Sequence, residues 1–288
     1  MGFRKFALGS HFAPAYRCMM RPEQSIPKPK RRSALRVRLG LSYHRAKRSL
    51  ANALDRQAYA DTRELQDLPH PIFSHQTPLF RPLIGVARPL MDAKVTNLRR
   101  AVEAIDGLVL APGEALSFWR RVGAPLATRG FVKGFALHEG KVVPSIGGGL
   151  CQASNLLFWM AAHSPLQLME RWRHSYDVFA DVRRTQPFGS GATVAFNHRD
   201  LRLLNPTAHR YQIRLWLSPT HLHGALNADA PLPEPITVEE SDHAITSQWW
   251  GGYARHNKLW RVQGARRSLL VENNALLLYE PLLSADTT

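Results

Sequence analysis

The chain has 288 residues, 44% of them hydrophobic, with two cysteines and a formal net charge of +16. That length can bury a sizeable core, and two cysteines do not make a disulfide framework, so a reducing compartment, or at least no dependence on oxidation, is expected. The charge is uneven: residues 1–50 hold 13 Lys/Arg and one Glu, whereas the other 238 residues hold 25 Lys/Arg and 21 Asp/Glu.

The opening stretch MGFRKFALGSHFAPAYRCMM starts basic, but Ser10, His11 and Arg17 interrupt any apolar run, so it does not read as a secretory signal. No run approaches the ~18 apolar residues of a membrane helix. A cytoplasmic location is therefore expected, with a periplasmic or envelope-associated one as the alternative. Residues 1–33, rich in Pro and Lys/Arg, are expected to form a disordered basic arm: a solvated tail, or a contact for a polyanion such as nucleic acid, anionic lipid or acidic polymer. Residues 34–288 are expected to make a single domain.

From Ser33 to about Leu68 the pattern is helical, with Leu35, Leu39, Ala46, Leu50, Leu54 and Ala58 marking an apolar side. Prolines 69, 71, 78, 82 and 89 then impose an extended stretch. Asp92 reads as the cap of an amphipathic helix that carries Val95, Leu98, Ala101, Val102 and Ile105 on one face and stops at Gly107. LVLAPGEALSFW holds a Pro-Gly turn between apolar runs, and GFALHEGKVVP reads as a hairpin around Glu139-Gly140. An apolar helix over 151–163 ends before Pro165. Strand candidates follow in QLMERW, YDVFADV, ATVAF, DLRLLN and YQIRLWL. The C-terminal region shows two hairpin-like units, AITSQWWGGYARHNKLWRVQ and SLLVENNALLLYEPLL. The fold class is α+β: early helices, then a mostly antiparallel β core with one buried helix starting at Cys151.

Three segments carry a family likeness: NLRRAVEAIDGLVLAPGEALSFWRRVG, GKVVPSIGGGLCQASNLLFWMAAHSPLQLMERWRHS, and GATV with the later DLRLLN. They resemble the VanW family, named from vancomycin-resistance gene clusters. The likeness covers about residues 91–217, with a β-rich extension after it. It implies a cell-envelope context linked to glycopeptide resistance and supplies no catalytic residue. One departure is visible: many members carry Asp directly before ATV, where this chain has Gly191.

The residues themselves suggest a thiol site. Cys151 opens a helix behind three glycines, where the helix dipole favours a thiolate. His174 follows near the start of a strand and Asp200 opens another, giving the order nucleophile, base, orienting acid. Gly147, Gly148, Gly149, Gln152 and Ser154 are the candidate substrate-binding residues, with Gln152 and the loop amides as oxyanion donors. Such a site would cleave or transfer an amide in a peptidoglycan precursor or peptide. The competing reading is a tight turn with a buried sulfur, because a lone Cys in an apolar segment is usually core. A non-enzymatic ligand- or partner-binding protein is the corresponding alternative function. Cys151, His163 and His174 are metal-ligand types, but their spacing fits no zinc pattern, and GGGLCQAS lacks the frame of a phosphate loop. No metal or cofactor is expected. Nucleic-acid binding rests on the arm alone. Most of the seven tryptophans are expected in the core, with Trp249-Trp250 beside two glycines partly exposed.

Overall fold

The computed structural model of the protein describes residues 26–30, 32–80, 88–138, 141–174, 176–177 and 186–279. Most of the expected arm, the Glu139-Gly140 turn and most of YDVFADV lie outside the described residues. Ile26, expected within a disordered arm, is tied to the body: its N–H donates to Gln248 Oε1 (3.0 Å) and its carbonyl accepts from Trp250 Nε1 (2.8 Å).

Helix α1 (Ala34–Ala53) begins where the Ser33 side chain accepts from Arg36 N–H. It ends about fifteen residues before the sequence pattern suggested, and none of its residues is buried. The apolar spacing that predicts it therefore reports an exposed stripe. Strand β1 (His70–Pro78) tolerates its two prolines because it is the edge of a sheet, with a bulge at Pro71/Phe73. Helix α2 (Arg88–Ile105) starts four residues ahead of Asp92, which instead pairs with Arg88. Its inner face is as expected, with Leu98, Ala101 and Ile105 fully buried.

Strands β2 (Leu108–Leu110) and β3 (Ala115–Ser117) flank the Pro-Gly turn but join different sheets. Helix α3 (Phe118–Val122) follows directly, and β4 (Lys133–His138) pairs with β5 (Lys141–Ile146) as the predicted hairpin. Helix α4 (Cys151–Ala162) is apolar nearly all round and correspondingly buried from Ala153 to Ala162, except at Asn155.

Beyond α4 come β6 (Gln167–Glu170), β7 (Tyr176–Asp177), β8 (Arg202–Leu204), β9 (Tyr211–Leu217) and β10 (His221–Ala228). The candidate strand ATVAF is an irregular segment with a single bridge between Ala195 and Arg199. Three long strands finish the described chain: β11 (Thr237–Ser247), β12 (Tyr253–Gln263) and β13 (Arg266–Leu277). SLLVENNALLLYEPLL is thus no hairpin. Its Asn273 lies mid-strand and buried, bonded to Asn257 (2.9 Å) and to Arg171 Nη1 (2.9 Å). These amides and the bond from Asn257 to the Phe188 carbonyl (2.7 Å) attach the C-terminal sheet to the body.

The sheets are β1-β10-β9-β2 and β3-β8-β6, both antiparallel, the β4-β5 pair, and β11-β12-β13-β7, in which only β13 and β7 run parallel. The fold is α+β. α4 lies over β1 and β10, where β10 supplies Gly224 beneath Met160 and Leu156.

The residues that fix the start of α4 are glycines in direct backbone contact. A Cβ on Gly148 would lie 2.4 Å from the carbonyl carbon and oxygen of Gly134 on β4. Asn97 of α2 locks the pair, donating from Nδ2 to the carbonyls of Gly148 (2.9 Å) and Val132 (3.0 Å) while Oδ1 accepts from Val132 N–H (2.9 Å). Gly148→Ala must displace backbone, and we expect it to lower stability by about 1–3 kcal/mol in urea unfolding. An unchanged midpoint would show the approach to be looser than described.

Candidate functional site

Each glycine of the GGG run is filled by protein. A Cβ on Gly147 would meet Pro125 at 2.7 Å, and one on Gly149, whose φ is +95°, would meet Lys94 Cγ at 2.0 Å. The loop is a clamp between α2, β4 and the Pro125 turn, not an open cradle. Gln152 is spent inside it: Oε1 accepts from Lys94 Nζ (2.9 Å), and Nε2 donates to Thr77 Oγ1 (2.8 Å) and the Pro78 carbonyl (3.0 Å). Ser154 is fully buried, its hydroxyl donating to the Ala192 carbonyl (2.6 Å). The Gly148 and Gln152 amides bond to the Ser145 and Gly149 carbonyls, so neither is left as an oxyanion donor.

Cys151 keeps some exposed surface, and its sulfur lies 3.7 Å from the Val194 carbonyl as donor. Burial pushes the thiol pKa up, more than the Val194 bond and the Arg199 charge pull it down. The helix dipole does not dominate here.

His174 sits in the loop before β7 and has no hydrogen-bond partner among the described residues. Burial, followed by the positive charges of Arg199 and Arg173, lowers its pKa to about 4. It is therefore neutral at pH 7 and a weak base.

Asp200 turns away from both. Its carboxylate accepts from Ser117 Oγ (2.6 Å), Trp119 N–H (3.1 Å) and Leu201 N–H (2.9 Å), and lies 3.3 Å from Arg202 Nε. Burial raises its pKa against these bonds. Asp200 thus organises the start of α3. Among the described residues no hydrogen bond joins Cys151, His174 and Asp200. Cys151 and His163 occupy opposite ends of α4, and no group of three metal-ligating side chains occurs among the described residues.

What Cys151 and His174 share is the charge of Arg199, a residue that motif and spacing did not single out. Its guanidinium makes no hydrogen bond or ion pair among the described residues, and its Nε is fully shielded from solvent. The contact it does make is with the Trp172 ring, 5.6 Å from the guanidinium carbon. Burial lowers the Arg199 pKa, and a negative charge on Cys151 would raise it. Trp172 is 44% exposed, and Phe196, three residues before Arg199 in the chain, is 41% exposed and edge-on to Trp119 at 5.5 Å. Trp119 in turn donates from Nε1 to the Arg199 carbonyl (2.8 Å). The expectation of a mostly buried tryptophan set is corrected here: of the seven, Trp159 is buried, while Trp172, Trp216 and Trp249 are exposed.

The arrangement defines a thiol-bearing glycine turn beside an unpaired cation and two open aromatic rings. A family model, "VanW like protein", matches residues 93–227. The "Vancomycin B-type resistance protein VanW" of Enterococcus faecalis (strain ATCC 700802 / V583) is 33% identical over 207 residues, covering 72% of this chain and 75% of that protein. The chain belongs to the VanW family. The "Uncharacterized protein YoaR" of Bacillus subtilis (strain 168) is 31% identical over 109 residues, 38% of this chain and 34% of that protein. No solved structure matches. Within the family pattern, Gly191 has a local reason: a Cβ there would lie 2.5 Å from Asn155 Oδ1, which accepts from Ala192 N–H (2.8 Å).

His174 makes stability depend on pH. Its folded pKa of about 4 lies below the reference 6.5, so between the two the unfolded chain binds a proton that the folded chain refuses. Its contribution is complete above pH 6.5 and is lost as the pH falls towards 4. His174→Gln should therefore lose less stability between pH 7 and pH 4.5 than the parent, read as the shift in urea midpoint. Parallel curves would contradict the burial of the imidazole.

Proposed function

We propose that the protein serves cell-envelope metabolism or glycopeptide resistance, the latter being what the name of its Enterococcus relative carries, by holding an anionic ligand at Arg199 without covalent chemistry. The observation behind this reading is the partly buried guanidinium with no acceptor among the described residues. A cation removed from water and left unpaired is costly, and a carboxylate that reached it would gain a charge-assisted, bidentate hydrogen bond. The exposed ring of Trp172, over which the guanidinium lies, supplies an apolar face for a peptide or sugar. The ligand class is a peptidoglycan precursor or peptide with a free carboxylate, and soluble wall precursors would be reachable from the cytoplasm.

The rival is Cys151-dependent amide cleavage or transfer with His174 as base. It needs a thiolate and an imidazole of near-neutral pKa, and burial opposes both. The experiment titrates the protein with a wall-type stem peptide bearing a free C-terminal carboxylate and with its C-terminal amide, following tryptophan fluorescence. We expect the carboxylate to bind and both the amide and the Arg199→Gln variant to be weaker by roughly tenfold or more. Cys151 should alkylate more slowly at neutral pH than an ordinary exposed thiol and be indifferent to His174→Ala. Equal binding by Arg199→Gln would sink the proposal. Fast alkylation that His174→Ala abolishes, with peptide turnover, would install the enzyme reading in its place.

A further inference from the structure

Helix α1, with five Lys/Arg and no acidic residue, has no buried apolar face among the described residues. At about 100° per residue, Leu35, Leu39, Tyr43, Ala46 and Leu50 share one face of α1. Leu35, Leu39, Tyr43 and Leu50 are 67%, 62%, 63% and 61% exposed. Arg36 and Lys47 border this stripe on one side and Arg38 and Arg45 on the other. None of the four makes an ion pair among the described residues, and α1 contains no acidic residue.

What holds α1 is polar and lies on another face. Arg48 Nη2 pairs with Glu170 (2.7 Å), Asn52 Oδ1 accepts from Arg202 Nη2 (2.6 Å), and Ser49 Oγ accepts from Asn197 Nδ2 (3.0 Å). From Ala34 to Tyr43 no side chain bonds to the body among the described residues. The helix is therefore fixed at its C-terminal half by hydrogen bonds that aim its apolar stripe outward.

We propose that α1 is an interfacial helix that lies on the surface of an anionic lipid bilayer. The stripe would enter the acyl boundary while the bordering Arg and Lys side chains reach the headgroups. Charge selects this occupant over the others. A second copy of α1 would bring arginines against arginines with no carboxylate to pair them. A nucleic acid would use the cations and leave the leucines in water. An anionic bilayer uses both. With five Lys/Arg over about 30 Å of length, α1 is too polar to span and lies flat instead. The inference is independent of the ligand proposed for Arg199.

The test is co-sedimentation of the full chain with phosphatidylcholine vesicles, with and without phosphatidylglycerol. We expect binding only to the anionic vesicles, weakening as salt rises. The triple variant Leu35→Ser, Leu39→Ser, Leu50→Ser should bind them at least tenfold more weakly with an unchanged thermal midpoint, since none of these side chains is buried. Arg36→Glu with Lys47→Glu should do the same. Failure of the parent chain to bind, or undiminished binding by the triple variant, would overturn the proposal. So would a dimer in sedimentation velocity that the triple variant dissolves, because the stripe would then belong to a second copy.

Discussion

The contact between Gly148 and Gly134 sets the geometry of everything around Cys151. Two backbones meet where no side chain fits, and Asn97 satisfies the polar groups that this approach would otherwise strand. Once they meet, Gly149 takes a positive φ against the Lys94 stem and α4 must start where it does. Lys94, buried below, is answered by the Leu79 carbonyl and Gln152. The motif GGGLCQ is therefore one packing unit: the glycines admit β4 and α2, and Gln152 closes the polar ledger beneath them.

That packing decides the chemistry of the sulfur. A helix N-terminus favours a thiolate only if the thiolate is hydrated or paired, and here burial of the sulfur favours the neutral thiol more than the Val194 bond and the Arg199 charge favour the thiolate. Neighbouring residues then divide the charge between them. Asp200 turns into a network with Ser117, Arg202 and Arg48 in which its lone pairs are used. Arg199, one residue earlier, turns to Trp172 and finds no acceptor among the described residues. The first arrangement stabilises the fold, and the second leaves interaction energy unspent.

Much of the fold was readable because it rests on local rules. The 3.6-residue period of Leu98, Ala101 and Ile105, the all-apolar run after Cys151 and the hairpin composition of 133–146 each determine an element by themselves. The misses are tertiary. α1 has a helix period without a core behind it, ATVAF has strand composition but is bent to meet α4 and Trp172, and Asn273 mimics a turn although Asn257 and Arg171 satisfy it within a strand. At the site, Cys151 and His174 both feel the charge of one guanidinium, that of Arg199. Spacing could not show that Asp200 faces the other way, nor that Arg199 lacks a partner. The one signal available was the composition FNHRDLR, where a cation precedes the acid by one position.

The helix and the site are joined through Glu170. Its Oε2 receives Arg48 of α1, while Oε1 accepts from the Trp172 indole (2.7 Å) and from Asp200 N–H (3.0 Å). One carboxylate thus holds the seat of α1, the ring beside Arg199 and the backbone that follows Arg199. Removing its charge would loosen all three together, since Arg48 and Arg202 both lean on it. The C-terminal half of α1 and the Trp172 ring beside Arg199 are consequently anchored on the same carboxylate. The seat of α1 cannot be displaced without breaking an ion pair whose members are mostly shielded from water, the circumstance in which such pairs are hardest to break.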